Sequence, residues 1–155
     1  MRIFWQESMC LGVPALDDDH RRLVTLLDQV CLTLQGRNLP GAGVAVEDFI
    51  DALTLHFANE ERLIDQFGGD ADDHHRDGHA ETMGLVERLR EAIVDAADHA
   101  LALTLAADLI TQWITRLFHH DSDLVRCLKR PEASNGISAF DPQSAGAPST
   151  RPRIS

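Results

Sequence analysis

The chain has 155 residues, a length that suits one domain with a buried core. Apolar residues make up 44% and aromatic residues only 5%, a balance that favours packed helices over a β-sandwich. The formal charge is −11, from 14 basic and 25 acidic residues. A surface this acidic repels phosphate backbones, so we do not expect nucleic acid as a partner.

The three cysteines, Cys10, Cys31 and Cys127, are widely spaced and form no CxxC pair. They predict free thiols and a cytoplasmic setting rather than a disulfide framework. The first residues lack a sustained apolar stretch and a small-residue cleavage site, so no secretory leader is expected. No apolar run approaches the roughly 20 residues that a membrane span needs, so no membrane partner is expected. The eight histidines are the most informative residues that remain.

Four long helices are predicted after an extended arm at residues 1–15. Acids at Asp17, Asp18 and Asp19 suit the start of the first helix, where they would cap free N–H groups. The expected helices cover about 17–34, 44–67, 72–97 and 101–129. The fold class is therefore all-α, an up-and-down antiparallel four-helix bundle with an N-terminal arm, over residues 1–130. Residues 131–155, rich in Pro, Ser, Gly and Ala, are expected to form a disordered tail.

Each of the first three helices has an apolar stripe, with positions three and four residues apart, that includes polar ligand-type residues. These are His20 on the first helix, His56 and Glu60 on the second, and His75 and His79 on the third. One histidine on such a stripe is more often a hydrogen-bonded core residue than a ligand. Five such groups together are different, because burying an unpaired carboxylate costs on the order of several kcal/mol. A bound metal ion would offset that cost, so the spacing predicts a metal site.

The pairs His56/Glu60 and His75/His79 are each four residues apart, so each pair projects from one helix face. Imidazole and carboxylate ligands without a thiolate suit iron or manganese, and zinc is also compatible with them. A carboxylate can also bridge two cations. The pattern therefore predicts one ion or two adjacent ions between these helices.

Three segments resemble the motifs of the hemerythrin family. Val13–Leu23, which follows an arm containing Trp5, is similar to the first ligand motif of the family. His56–Glu61 is similar to its HFxxEE signature, and His75–His79 matches its HxxxH motif. The resemblance spans about residues 3–129, and the motifs stand in the family's order.

The resemblance implies a non-haem centre of two iron ions with an oxo or hydroxo bridge, which binds dioxygen reversibly as a hydroperoxide. It implies that His20 and His56 bind one iron, that His75 and His79 bind the other, and that Glu60 bridges both. Dioxygen would bind at an open position on the iron held by His20 and His56. An apolar wall around the centre would come from Leu27, Leu53, Ile64, Val86, Ile110, Trp113 and Leu117.

Glu61 lies about 140° around the helix from His56. It is therefore expected to be exposed, or to support a ligand, rather than to bind metal itself.

The fourth helix departs from the family pattern, which has a histidine four residues beyond a tryptophan and an aspartate five residues later. Here Leu117 stands four residues beyond Trp113. With Ile110 taken as the centre of the stripe and about 100° per residue, Asp121 falls near the stripe and is predicted as the second bridging carboxylate.

The nitrogen ligand from this helix has three interpretations, in order of preference. In the first, His120 reaches inward from the flank of the stripe, because helical side chains lean toward the N-terminus. In the second, Leu117 fills the usual ligand position and one iron lacks a protein nitrogen. In the third, His119 and Asp123 act together, which requires a local twist or π-bulge.

These features predict a dioxygen-binding protein for oxygen transport, storage or sensing, and not an enzyme. The alternative is a di-iron oxidase, peroxidase or nitric-oxide-reactive enzyme with an altered ligand set on the fourth helix. The chain contains no Tyr, so a tyrosyl radical within it is excluded. A metal-free interaction bundle with ordinary histidines is a third hypothesis, which metal analysis distinguishes from the other two.

Overall fold

The computed structural model describes residues 1–67 and 72–119 together with Val125. Helices α1 to α4 cover Pro14–Gln35, Leu39–Phe67, Asp72–Val94 and His99–His119, and the arm contains one 3-10 turn at Glu7–Met9. Consecutive helices pack side by side and α4 closes against α1, which confirms the four-helix bundle. The predicted ligands His120 and Asp121 and the predicted tail at 131–155 lie outside the described residues.

Two helices begin earlier than the sequence pattern predicted. Helix α1 begins at Pro14, where the fixed φ of proline suits the first helical position. Helix α2 begins at Leu39 rather than near residue 44, because the side chain of Asn38 caps it. Asn38 Oδ1 accepts a hydrogen bond from the Gly41 backbone N–H at 3.0 Å. This early start adds a full turn to the element that carries two of the predicted ligands.

The link between α3 and α4 also differs from the prediction. Helix α3 ends at Val94 rather than near residue 97, and Ala97 adopts a left-handed backbone with φ of 49°. Asp98 then caps α4, since its Oδ1 accepts a hydrogen bond from the Leu101 N–H at 3.0 Å. The short link reverses the chain and brings α4 back along α3.

The acids at the start of α1 do not cap that helix as predicted. Asp17 is buried, and its carboxylate accepts hydrogen bonds from the backbone N–H groups of Leu11 and Gly12 at 2.7 and 3.1 Å. Asp18 is exposed, whereas Asp19 faces α2. Asp17 therefore fastens the arm to the bundle, and Asp19 is free for another role.

The apolar core forms two clusters, one on each side of a polar layer. The smaller cluster contains Val13, Leu16, Leu63, Ile64 and Val125. The larger cluster continues along the stripes predicted for α1, α2 and α3, whose described apolar positions are buried. On α1 and α2 the predicted ligands lie between the two clusters, so the bundle encloses them on both sides.

Helix α4 turns Leu109 and Trp113 inward, with 0% and 3% of their surfaces exposed. Ile110, taken as the centre of the stripe in the sequence argument, is only partly buried and packs at the edge of the core. The inward face of α4 is therefore rotated from the predicted one. None of the helices formed by the described residues combines the length and apolarity that a membrane crossing requires.

Candidate metal centre

Three helices bring the five predicted ligands of α1, α2 and α3 into one buried layer. The exposed fraction is 0% for His20 and Glu60, 2% for His56, 4% for His75 and 8% for His79. Each lies on the inward stripe of its helix, which is the placement that the three- and four-residue spacing predicted. Burial of so many polar side chains in contact with one another requires that they satisfy one another or share a cation.

The first group joins α1 to α2. The Nε2 atoms of His20 and His56 are 3.2 Å apart, and the two rings meet edge to face with centroids 4.7 Å apart. His56 Nε2 is also 3.4 Å from Oε1 of Glu60, one helical turn further along α2. Two nitrogens and one oxygen therefore converge on the same point.

The second group joins α2 to α3. His75 Nε2 and His79 Nε2 lie 3.2 and 3.0 Å from the other oxygen of the same carboxylate, Oε2 of Glu60. The two imidazole rings are nearly perpendicular, with centroids 4.5 Å apart. Glu60 thus directs one oxygen to each pair of histidines, which is how a bridging carboxylate is arranged.

The surroundings of Glu60 favour its charged form. Burial by itself raises the pKa of this carboxyl, but the charge of His56 and the hydrogen bonds from His75 and His79 outweigh burial. Together they hold the pKa of Glu60 well below its usual range. The centre therefore presents a carboxylate anion at the middle of four imidazoles.

The geometry of these atoms fits metal ions. In each group of three, the candidate ligand atoms all lie within 4.8 Å of one another. Two ligands each about 2.1 Å from one ion, at tetrahedral or octahedral angles, are about 3.0–3.4 Å apart, which agrees with the separation between His20 and His56. Cys10 and Cys31, the cysteines that the structure describes, belong to neither group. The donor set is therefore nitrogen and oxygen only, as iron and manganese favour.

Comparison with known proteins agrees with this geometry. The family model "Hemerythrin HHE cation binding domain" matches residues 11–128. The chain belongs to the hemerythrin family. Over 66 residues it is 26% identical to a bacteriohemerythrin of Stenotrophomonas maltophilia and 27% identical to bacteriohemerythrins of Pseudomonas aeruginosa and Pseudomonas paraeruginosa. Each of these matches covers 43% of the chain and 43% of the relative, so the aligned stretch is less than half of either protein.

The match to the hemerythrin family extends past the described part of α4 and includes His120 and Asp121. These residues, and the side chains of Leu117 and His119, lie outside the described part of the chain. The assignment of a nitrogen and a carboxylate ligand to the fourth helix of this hemerythrin-family domain stays a prediction.

Two carboxylates contact the hemerythrin-type histidines from outside the layer, and sequence reasoning identified only one of them. Glu61, expected to be exposed or to support a ligand, is 3.2 Å from Nδ1 of His79 and has 43% of its side chain exposed. Asp19 was assigned to helix capping, but its Oδ2 lies 3.3 Å from Nδ1 of His56. Its place one residue before His20, on the side of α1 that meets α2, is the signal that could have revealed it.

Proposed function

We propose that this hemerythrin-family chain binds dioxygen reversibly at a centre of two iron ions, for oxygen transport, storage or sensing. The observation that carries the proposal is the carboxylate of Glu60, which faces one histidine pair with each of its oxygens. A single ion would not require both oxygens to be directed to separate nitrogen pairs. Two ions bridged by one carboxylate account for the whole arrangement.

In this proposal His20 and His56 would hold one iron and His75 and His79 would hold the other, while Glu60 would contribute one carboxylate oxygen to each. Two ferrous ions, when bound, supply the electrons and the open coordination position that dioxygen uptake needs. The negative charge of Glu60 offsets part of the charge of the two ions. An imidazole that binds a metal ion is neutral, so the four histidines would provide ligands without adding charge to the buried layer.

The side chains around the centre keep water away from it. Leu27, Leu53 and Val86 are fully buried on the side of the large core cluster, and Ile64 is buried on the other side. Trp113, on α4, is buried in the large core cluster. These buried apolar side chains limit the delivery of water and protons to the ligand layer, a condition that would favour reversible binding of dioxygen over its reduction.

We also propose His120 and Asp121 as ligands from the fourth helix, and the burial on α4 favours His120 of the two. Counted at about 100° per residue from Trp113, His120 falls near −20° and Asp121 near +80°. Leu109, which is fully buried, falls near −40° on the same scale. If α4 continues as a regular helix, His120 would therefore lie closer to the inward face than it does when Ile110 is taken as the centre of that face.

Metal analysis combined with absorption spectroscopy tests the proposal. The chain purified without oxygen should contain two irons, and an absorption change caused by air should reverse when oxygen is removed. Glu60→Ala should lose most of the iron. His99→Gln should retain it, because His99 hydrogen-bonds the Leu34 carbonyl oxygen at the opposite end of the bundle. Full-length protein without bound iron, or iron retained in Glu60→Ala, would contradict the proposal.

The alternative function, a di-iron oxidase or peroxidase, is supported by Leu117 at the position where the family has a histidine. A centre without that nitrogen would have a second open position and would oxidise faster. In that case the absorption change caused by air would decay without reversing, and Leu117→His would slow the decay. An unchanged decay rate in Leu117→His would count against this alternative.

We infer a cytoplasmic location from the cysteine pattern, because three widely spaced cysteines without a CxxC pair favour free thiols over a disulfide framework. Fractionation of cells that produce the full chain tests this inference. Recovery of the protein outside the cytoplasm would contradict it.

A further inference from the structure

Two carboxylates lie outside the ligand layer, and each contacts a histidine of a different group. The contact is made at the ring nitrogen that faces away from the centre. Asp19 Oδ2 is 3.3 Å from Nδ1 of His56, and Glu61 Oε1 is 3.2 Å from Nδ1 of His79. In both rings Nε2 faces Glu60. Each ring is thus held between a carboxylate on the outside and the candidate centre on the inside.

The chemistry of imidazole gives these contacts a consequence. An ionised carboxylate only accepts hydrogen bonds, so a ring nitrogen facing it must carry the proton. A neutral imidazole has one such proton, and a metal ion binds the nitrogen that lacks it. A proton held on Nδ1 by the outer carboxylate therefore leaves the lone pair on Nε2, the atom that faces the centre.

The two contacts differ in their exposure to water. The side chain of Asp19 is 16% exposed, whereas that of Glu61 is 43% exposed. Glu61 also lines an open groove of about 380 Å³ between α2 and α3. Because water competes for an exposed carboxylate and screens its charge, the contact of Asp19 is the stronger of the two.

We propose that Asp19 and Glu61 are positioning residues, which hold His56 and His79 with Nδ1 protonated and Nε2 directed to the metal centre. Of the two, Asp19 has the larger effect on metal affinity. The inference rests on the proposed function in one respect, namely that the layer binds metal ions. It gives a role to two residues that lie within the motif segments but are not among the predicted metal ligands.

Cobalt binding to the metal-free full-length chain tests the proposal without any measurement of oxygen binding. Affinity is obtained from the Co²⁺ absorption bands in competition with a chelator. Asp19→Ala should weaken binding by about 10-fold to 100-fold, the usual effect of losing such a partner, and Glu61→Ala should weaken it less. Two control variants should bind Co²⁺ as the original chain does. Asp18→Ala removes an exposed acid from the helix that carries Asp19, and Glu87→Ala removes an exposed acid from α3.

A second measurement separates positioning from folding. In the Zn²⁺-loaded chain, the imidazole Nδ1–H of His56 should give a slowly exchanging proton resonance, which Asp19→Ala should lose. Thermal unfolding of the metal-free variants should remain close to that of the original chain. If Asp19→Ala does not fold, Asp19→Asn replaces it, and a weakening smaller than 10-fold is expected because a neutral amide oxygen still accepts a hydrogen bond.

The possible failures are distinguishable. Normal Co²⁺ affinity and a retained Nδ1–H resonance in the folded Asp19 variant would overturn the positioning role while the metal centre stands. An original chain that binds neither Co²⁺ nor Zn²⁺ would overturn the proposed function and the positioning role together.

Discussion

Phe57 stacks face to face on His79, with ring centroids 3.8 Å apart and planes inclined by 14°. The contact joins α2 to α3 beside the ligand layer, and Phe57 stands next to His56 in the chain. The stack fixes the plane of the His79 ring, while Glu61 fixes the direction of its Nδ1. Two independent contacts therefore determine the orientation of one candidate ligand.

Replacement of Phe57 by leucine should affect both stability and metal binding. Phe57→Leu retains an apolar side chain but loses the ring stack, which contributes about 0.5–1.5 kcal/mol to the free energy of unfolding. Urea unfolding of the metal-free chain measures this loss, and Co²⁺ affinity should fall as well. Phe49→Leu is the control, because Phe49 contacts the ring of Trp113 in the core instead. Equal loss of Co²⁺ affinity in both variants would show that the stack does not orient His79.

The arm should make stability depend on pH through Asp28. Its carboxylate accepts hydrogen bonds from the Arg2 guanidinium and from the Ile3 backbone N–H, at distances of 2.9 and 3.0 Å. The hydrogen bond from Arg2, stronger than the opposing effect of burial, lowers the pKa of Asp28, and the contact with Ile3 adds to this. Because the folded pKa is the lower one, this stabilisation is complete above the unfolded pKa of about 3.9 and is lost as pH falls through the folded pKa.

Asp28→Asn should therefore lower the free energy of unfolding by about 1 kcal/mol at pH 7 and by less near pH 3. The measurement is urea unfolding of the metal-free chain at both pH values. Asp48→Asn, an exposed change on α2, serves as the control and should alter stability little at either pH. A loss that is the same at pH 3 and pH 7 would show that the charge of Asp28 does not contribute.

The left-handed backbone at Ala97 offers a stabilising substitution. A non-glycine residue at φ of 49° costs about 1–2 kcal/mol relative to its preferred conformations. Ala97→Gly should raise the free energy of unfolding by about 1 kcal/mol after the entropy cost of glycine is included. Ala96→Gly in the same link should not stabilise the chain, since Ala96 does not have a positive φ. Equal effects of the two changes on urea unfolding would contradict the explanation.

The sequence predicted most of the fold and the inner ligand layer because both depend on helical periodicity. Burial of His20 and Glu60 follows directly from the three- and four-residue spacing of apolar positions. The turns were harder to predict. The early start of α2 depends on one hydrogen bond that Asn38 Oδ1 accepts from the Gly41 N–H, and the end of α3 depends on the backbone at Ala97.

The role of Asp19 shows that the residue pattern of one helix is insufficient to predict a contact between two helices. Asp19 is on the flank of α1, and its role depends on how α1 and α2 pack together. Because Asp19 follows two other acids at the start of a helix, its sequence context indicated the simpler role of a helix cap. The same limit applies to α4, where the inward face is set by Leu109 and Trp113 and not by Ile110.

The two described cysteines should differ in reactivity. Cys31 is 1% exposed, and burial, together with the charge of Asp28, raises its pKa to about 11. At pH 7 only about one thiol in ten thousand is then a thiolate, the reactive form. Burial and the charge of Glu7 also raise the pKa of Cys10, but Cys10 is only half-buried in the arm.

Iodoacetamide at neutral pH should therefore alkylate Cys10 well before Cys31, and mass spectrometry of the peptides measures the two rates. In urea the rates should become similar. Equal labelling of the two thiols in the folded chain would mean that the core around Cys31 opens readily.

Substitutions after α4 should identify the nitrogen ligand of the fourth helix. If the helix continues with the phase of Leu109 and Trp113, His120 is directed inward and His119, near −120° from Trp113, is directed outward. His120→Ala should then lower the iron content of the purified chain, whereas His119→Ala, the matched control, should retain two irons. The opposite result would favour the pair His119 and Asp123, which needs a local π-bulge to turn inward. Full iron content in both variants would mean that no histidine of this segment is a ligand, so that one iron lacks a nitrogen from the fourth helix.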